Sequence, residues 1–316
     1  MKNTASSGFA KFILLVTVLF TGAVVTMLSG CASSGYIEKN YSKNIEKLQT
    51  CGTYDDAPVE FEMKYLVDEE RAEEIRAYFK ENTSLDLYAV AASEKSTWEK
   101  AVELAVFVAK NIPHDNQKKM LKNRNAITLW EYSRSVPTGF NCRWHATLLS
   151  ELMLAAGIKN RFITCLPEDK FDGDCHVVNI VWLPELKKWA MIDSDMIEYV
   201  TDDDGIPLSL EEMRETVISG RQLNISVLPG FEKYWVAKPS GMQYMQAYWA
   251  KNLYWFSAHS TYGFDLEGER KLPDAYTALI PQGFDCSHSY NNGYATSNPA
   301  AFWDDTKSID DNSDIW

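Results

Sequence analysis

The stretch "GFNCRWHATLLSELMLAAG", residues 139–157, decides the fold, because it places a cysteine where a long apolar helix begins. Asn141 is a good N-cap residue, so Cys142 falls in the first turn, and Gly157 supplies a stop. Apolar residues on both flanks indicate that most of this helix is buried. The sequence therefore predicts a core helix with Cys142 at its amino end.

Three strand-like runs follow this helix. They are "RFITCL" at 161–166, "HVVNIVWL" at 176–183 and "KWAMID" at 188–193. Pro184 and Glu185 open a turn between the last two runs. Helices followed by a meander of antiparallel strands predict an α+β fold, in which the helix bearing the cysteine packs on the sheet.

The same region carries a thiol, an imidazole and a carboxylate. His176 begins the second strand and Asp193 ends the third. Nucleophilic thiol chemistry needs a thiol, a base that holds its proton and a carboxylate that orients the base. A helix start also favours a thiolate, and its free N–H groups could hold an oxyanion. Each of these residues alone could have a purely structural role, but their order and placement favour a catalytic set of Cys142, His176 and Asp193.

His145 is an alternative base. It lies three residues after Cys142, so both side chains share one helix face. A base on the same helix has little freedom to reach the thiol proton, which favours His176.

The arrangement resembles the transglutaminase-like superfamily of cysteine acyl-transfer enzymes, from about Trp98 to Asp195. The helix headed by Cys142, the "AAGIKNRFITC" after it, His176 and "KWAMIDSD" carry the resemblance. It implies a papain-like core with Cys142 as nucleophile, His176 as base and Asp193 as the orienting carboxylate. Members of the superfamily include cross-linking enzymes, peptidases, amidases and some proteins that lost activity.

Three positions depart from the family pattern. The family often has Gly two residues before the cysteine, where this chain has Phe140, with Gly139 one residue further back. Two valines follow His176, where an aromatic residue is common, and Asp193 is followed by Ser rather than Pro. The substrate class therefore cannot be inherited from these motifs.

The amino terminus looks like an export signal. Lys2 and Lys11 precede an uncharged apolar run, 12–27, which is short for a spanning helix. The following "LSGC" looks like a bacterial lipobox, which implies cleavage before Cys31 and attachment of palmitate-type acyl chains to it. The alternative is a retained membrane helix. Either reading predicts an extracytoplasmic body tethered to the cell membrane or the outer membrane.

Composition excludes some partners. The chain has 316 residues, of which 46% are hydrophobic, so a sizeable core is expected. A formal net charge of −13 argues against nucleic acid, since phosphate binding needs clustered Lys and Arg. The five histidines are scattered and no Gly-rich phosphate loop appears, so neither a cofactor nor a metal is predicted.

A calcium-loop pattern is weak. The segment "VTDDDGIPLSLE", residues 200–211, matches an EF-hand loop at some ligand positions, but its first position is Val200. A plain turn is favoured.

Aromatic residues cluster in a later segment. They could line a glycan or peptide groove, but helical spacing favours packing in the core. The residues are Tyr234, Trp235, Tyr244, Tyr248, Trp249, Tyr254 and Trp255.

Four cysteines have no predicted chemical role. Bridges between Cys165 and Cys175, or between Cys51 and Cys286, are possible in an exported protein. Buried free thiols are the alternative.

The predicted division of the chain has five parts. They are a signal peptide (1–30), a membrane-proximal stalk (31–57), a transglutaminase-like domain (58–225), a C-terminal extension packed on the core (226–303) and an acidic tail (304–316).

The predicted function is attack of the Cys142 thiolate on a peptide or amide carbonyl. The acyl-enzyme is then resolved by water or an amine, and hydrolysis is favoured because water is the default acceptor. The expected partner is a peptide or protein in the envelope or outside the cell. The alternatives are a non-catalytic module that binds cell-wall or extracellular polymers and a protein cross-linking transglutaminase.

Overall fold

The computed structural model describes residues 39–55, 64–116, 121–267, 276–286 and 294–303. The predicted signal peptide, Cys31 and the acidic tail lie outside the described residues and stay predictions. Within the described ranges, no helix combines the length and apolar character that crossing a membrane requires.

The described helices pack against both faces of the large sheet. They are α1 (residues 39–50), α2 (Glu69–Asn82), α3 (Leu87–Ala92), α4 (Thr97–Asn111), α5 (Ala126–Ser135), α6 (Cys142–Ala155), α7 (Leu210–Ile218), α8 (Pro239–Asn252) and α9 (Pro299–Trp303).

The described strands form one large sheet and two small ones. They are β1 (Lys64–Leu66), β2 (Asn160–Leu166), β3 (His176–Leu183), β4 (Lys188–Ile192), β5 (Glu198–Thr201), β6 (Asn224–Val227), β7 (Trp255–His259), β8 (Thr261–Gly263), β9 (Tyr276–Leu279) and β10 (Tyr294–Thr296).

The large sheet has the order β10-β9-β7-β2-β3-β4. Strands β2, β3 and β4 form the antiparallel meander that the sequence predicts, and β7 pairs antiparallel with the other edge of β2. Helix α6 packs on β2 and β3 from one side and on α2, α4 and α5 from the other. The α+β prediction, with the cysteine-bearing helix on an antiparallel sheet, is confirmed.

Local signals explain the bounds of α6. The Asn141 side chain accepts a hydrogen bond from the Trp144 backbone N–H at 3.1 Å, which caps the amino end. Gly157 has a φ of +74°, and the N–H of Ile158 returns to the Met153 carbonyl at 2.8 Å. The predicted cap and stop are therefore both present.

The sheet crosses the boundary predicted between residues 225 and 226. Strands β7, β9 and β10 come from the predicted C-terminal extension, yet β7 hydrogen-bonds directly to β2, with Cys165 opposite Phe256. An unpaired β2 edge would expose a row of backbone donors and acceptors, and β7 satisfies them. The described residues of the segment 226–303 thus supply three strands of the main sheet as well as packing on it.

Helix α1 falls in the second half of the predicted stalk. Leu48 is buried in the same apolar cluster as Met213 and Trp249, with Tyr41 and Ile45 packed against that cluster. Residues 39–50 therefore contact the folded part of the chain.

Candidate active site

The loop before α6 fixes the position of Cys142. The Phe140 N–H donates to the Pro113 carbonyl at 2.9 Å, and the Asp115 N–H donates to the Phe140 carbonyl at 2.8 Å. A Cβ on Gly139 would lie 2.1 Å from the Pro113 oxygen, so this close approach needs glycine. Gly139, which lies one residue further from the cysteine than the family's glycine, thus permits the close contact with Pro113. The half-buried Cys142 follows this hydrogen-bonded loop.

Contacts between β3 and α6 place His176 near the start of α6. The Asn179 side chain, on β3, donates to the Ala146 carbonyl of α6 at 3.0 Å. Val177 packs with Ala146 and Phe162, and Cys142 contacts this cluster. A valine after His176 therefore belongs to the contact that seats the cysteine-bearing helix on the sheet.

His176 and Asp193 form a buried pair. The His176 ring is 1% exposed, and its Nε2 lies 2.6 Å from Asp193 Oδ2. The other oxygen of Asp193 accepts backbone N–H groups of Asp195 at 2.8 Å and Met196 at 3.0 Å. Because both oxygens are engaged, the carboxylate holds one orientation and fixes the imidazole ring.

The thiol joins this pair. Cys142 Sγ, a ring nitrogen of His176 and a carboxylate oxygen of Asp195 all lie within 4.8 Å of one another. His176 Nδ1 is buried without a conventional hydrogen bond among the described residues, and both the Cys142 thiol and the Asp195 carboxylate lie within 4.8 Å of a ring nitrogen of His176. The structure thus brings Cys142, His176 and Asp193 together, with His176 between the other two.

The surroundings of His176 favour its charged form. Burial lowers its pKa, but the Asp193 charge, the Asp193 hydrogen bond and the interaction with Cys142 together raise the pKa well above its ordinary value. An imidazolium beside a thiol favours transfer of the thiol proton to the ring and an ion pair between the two.

Asp195 is a second carboxylate that the sequence reading missed. Its side chain is fully buried, and both oxygens lie at 2.9–3.0 Å from His114 Nδ1. Burial raises the pKa of Asp195, but the hydrogen bond from His114 and the charges of His145 and His176 bring it below its ordinary value. The only sequence signal was its place at the end of "KWAMIDSD".

His145 lies next to the Asp195 carboxylate. Its Nε2 is 3.5 Å from Asp195 Oδ1, and its ring packs edge-on against Phe140 at 6.0 Å. Complete burial lowers the pKa of His145 despite the nearby carboxylates. This geometry favours His176 as the base and gives His145 a packing role.

Aromatic rings of α8 form a wall against His176. The rings of Tyr248 and Trp249 lie 5.3 and 5.5 Å from the imidazole, both edge-on. The Trp249 indole N–H donates to the buried Glu198 carboxyl at 2.6 Å. Burial, with a contribution from the Asp193 charge, raises the pKa of Glu198 to about 8.

The wall continues to the surface. Tyr244 stacks on Tyr248 at 5.7 Å and 15°, and Trp235 packs edge-on against Tyr244 at 5.7 Å. Tyr244 is 40% exposed and Trp235 37% exposed, whereas Tyr248 and Trp249 are buried. The predicted aromatic cluster is therefore part core, as favoured, and part exposed row that leads away from His176.

Two depressions border this centre. One, of about 480 Å³, is lined by Tyr244, Tyr248, Asp174 and Lys251 among others. The other, of about 600 Å³, contains His114, Arg134 and the loop before α6. The first includes Tyr248, which packs against His176, and the second includes His114, which contacts Asp195.

The weaker sequence motifs have structural explanations. Asp202 Oδ1 accepts N–H groups of Asp204 at 3.0 Å and Ile206 at 2.8 Å, which is the plain turn that was favoured over a calcium loop. Cys165 lies opposite His176 in the β2–β3 ladder, so it does not face Cys175. The described cysteines are free thiols, and neither of the considered bridges forms.

Comparison with known proteins agrees with the sequence resemblance. Residues 85–194 match the family model of the transglutaminase-like superfamily, and this segment holds Cys142, His176 and Asp193. No curated protein matches the chain. The resemblance stated above is confirmed for this segment.

The solved structures that match part of this chain include a candidate cysteine protease from Cytophaga hutchinsonii. It is 12% identical to this chain, with a TM-score of 0.28. The match covers 42% of this chain and 46% of that one, less than half of either length. A TM-score this low supports no inference about function.

Proposed function

We propose that this protein is a cysteine-dependent hydrolase of peptide or amide bonds that acts through a thioester acyl-enzyme. The observation that carries the proposal is the Cys142 thiol beside a buried His176 ring, whose Nε2 lies 2.6 Å from Asp193. Each group has the neighbour that its role requires.

The first half of the reaction forms the acyl-enzyme. The Cys142 sulfur bonds to the carbonyl carbon, and the carbonyl electron pair moves to oxygen. N–H groups at the start of α6 would hold that oxyanion, since they have no partner within the helix. The C–N bond then breaks, and the leaving amine takes the proton from His176.

The second half of the reaction hydrolyses the thioester and regenerates the free enzyme. Water attacks the thioester carbon while His176 takes one water proton. The C–S bond breaks, the carboxylic acid leaves and the thiolate with its imidazolium partner is restored. Asp193 keeps the ring orientation through both halves, because its two oxygens are already occupied.

The non-catalytic alternative has less support. A binding module would be favoured by an occluded Cys142 or a His176 turned away from it. Cys142 is half-buried rather than closed off, and a His176 nitrogen lies within 4.8 Å of its sulfur. A cross-linking activity needs a bound amine as acceptor, whereas hydrolysis needs only water.

The proposed substrate is a peptide or protein chain outside the cytoplasm. The exposed row of Trp235 and Tyr244 leads to Tyr248 against His176, and it offers flat apolar faces for an extended chain. The support for the proposed location is the apolar amino-terminal run and the lipobox-like sequence that ends at Cys31.

The test is labelling with a peptidyl probe that carries a thiol-reactive acyl-type group, read for each cysteine by mass spectrometry. Cys142 should be labelled in the folded protein, and His176→Ala should slow its labelling strongly. Cys175→Ser is the matched control and should leave Cys142 labelling intact. Labelling confined to another cysteine would overturn the proposal.

Product analysis separates hydrolysis from transfer. Peptide amides that react are incubated with and without an excess of a primary amine. A carboxylic acid in both incubations supports hydrolysis. An amide with the added amine as the main product would replace the hydrolase by a transamidase.

A further inference from the structure

We propose that Cys142, His176 and Asp195 bind one zinc ion, which reversibly masks the nucleophile. The binding of zinc needs no turnover, whereas its inhibitory effect rests on the proposed function. The sequence predicts no metal ligand, because nothing in its pattern places Asp195 beside Cys142.

The donor atoms are close enough to share an ion. One atom from each residue lies within 4.8 Å of the other two. Zinc bonds of about 2.0–2.3 Å place tetrahedral ligand atoms about 3.3–3.8 Å apart, so small side-chain movements would close the site. The half-buried Cys142 provides the path from solvent.

The donor types select the metal. A thiolate, an imidazole nitrogen and a carboxylate oxygen are the ligands that zinc takes in proteins. Calcium and magnesium take oxygen ligands, of which this group has only the carboxylate. The cluster therefore favours zinc over the alkaline-earth ions.

The residues around the donors also fit a zinc site. Ligating histidines usually bond a carboxylate through the second ring nitrogen, and His176 Nε2 has Asp193 at 2.6 Å. That contact leaves the buried His176 Nδ1, which lacks a conventional hydrogen bond, for the metal. Asp195 is in turn oriented by His114 at 2.9 Å and faces His145 at 3.5 Å.

The consequence is a masked nucleophile. A sulfur bound to zinc has its lone pair engaged, and a His176 nitrogen bound to zinc cannot hold the thiol proton. Both halves of the reaction stop until the ion leaves. A water, or His114 after it turns from Asp195, would complete the four ligands.

The test measures zinc affinity on the metal-free full chain by competition with a chromophoric chelator. We expect one zinc per chain. Cys142→Ser and Asp195→Asn should each weaken binding at least tenfold, on the scale of changes at metal sites. Cys175→Ser is the matched control and should keep wild-type affinity, and calcium or magnesium should not compete.

Alkylation provides a second readout. Zinc should protect Cys142 from iodoacetamide in the wild type, and a chelator should remove the protection. Asp195→Asn, shown to be folded by circular dichroism, should lose most of the protection at the same zinc concentration.

Several outcomes would overturn the proposal. They are no zinc binding at millimolar concentration, full affinity in Cys142→Ser, or loss of affinity in Cys175→Ser alone. A chain that binds zinc but turns over no substrate would contradict the proposed function only. A chain that turns over substrate and ignores zinc would contradict only the zinc site.

Discussion

At the scale of single residues, the His176 ring is surrounded by four side chains of the site. Asp193 Oδ2 lies 2.6 Å from Nε2, the Cys142 thiol lies within 4.8 Å of a ring nitrogen, and the rings of Tyr248 and Trp249 pack edge-on at 5.3 and 5.5 Å. Such a ring cannot turn without breaking a buried charge-assisted hydrogen bond. Substitutions here should therefore change chemistry before they change the fold.

The first prediction concerns the unit of three residues. Cys142→Ala and His176→Ala should each abolish turnover, and the double change should cost little more, because either loss disables the pair. Asp193→Asn should stay folded by circular dichroism and lose about 10⁴-fold in kcat, since it disturbs the required tautomer. His145→Ala should keep most activity. If His145→Ala removed turnover and a folded His176→Ala retained it, the base would be misassigned.

The second prediction is a pH profile. The pKa of His176 is raised, so its imidazolium persists to higher pH than that of an ordinary histidine. Cys142 should thus be alkylated faster in the wild type than in His176→Ala at mildly acidic pH, and the two rates should converge as pH rises through the raised pKa and the imidazolium loses its proton. In His176→Ala the fast alkylation at mildly acidic pH should be lost, because no imidazolium is left to pair with the thiolate. Identical profiles in the two proteins would contradict the ion pair.

At the scale of elements, contacts of the preceding loop position the start of α6. The Gly139 contact with Pro113 sets the approach of the loop, and Asn141 caps the first turn. Behind the centre, the bridge between Asp193 and Glu198 joins the end of β4 to β5. Elements thus position the reactive groups through backbone contacts.

The third prediction tests the loop approach. Gly139→Ala should destabilise the protein by about 1–3 kcal/mol, because the new Cβ meets a backbone oxygen and the loop must move. Cys142 alkylation should slow as well. Gly173→Ala is the matched control, since a Cβ there meets nothing within 4 Å. Chemical denaturation of both variants checks this, and equal stabilities would show that the loop accommodates the methyl group.

The fourth prediction concerns Glu198, whose pKa is raised to about 8 by burial. Between the ordinary glutamate pKa of about 4.3 and that value, the folded state holds a proton that the unfolded state has released. The contribution of Glu198 to the free energy of unfolding of the protein therefore falls as pH rises from about 4.3 to about 8. Glu198→Gln keeps an acceptor for the Trp249 indole and should remove that part of the slope. Denaturation from pH 5 to 8 measures it, and an unchanged slope would assign the effect elsewhere.

At the scale of the whole molecule, described residues from before and after the matched segment pack against it. Strand β7 covers the β2 edge, and α1 packs its Leu48 into the cluster that contains Trp249. The chain outside residues 85–194 thus supplies both the wall against His176 and an edge of the sheet.

The fifth prediction is lipidation at Cys31, which rests on the "LSGC" sequence. Cys31→Ser should yield protein that is not cleaved or not lipidated, seen as a changed amino-terminal mass and a loss of acyl chains. Because two or more acyl chains give durable anchoring, membrane fractionation should change with it. An unchanged mass and unchanged membrane retention would contradict the lipobox reading.

The sequence by itself determined the helix that begins at Cys142, the meander after it and the order Cys142, His176, Asp193. These features depend on caps, apolar runs and turn residues, which act over a few positions along the chain. The superfamily resemblance depends on the same local motifs. Cys31 remains a matter of sequence alone.

Only the tertiary structure decided which other groups meet at the centre. His114 reaches Asp195 across 81 positions, and Trp249 reaches Glu198 across 51. Periodicity along one element cannot report such contacts, because they depend on how distant elements pack. For the same reason the zinc donor Asp195, the role of Gly139 and the sheet shared across residue 225 appeared only once the chain was folded.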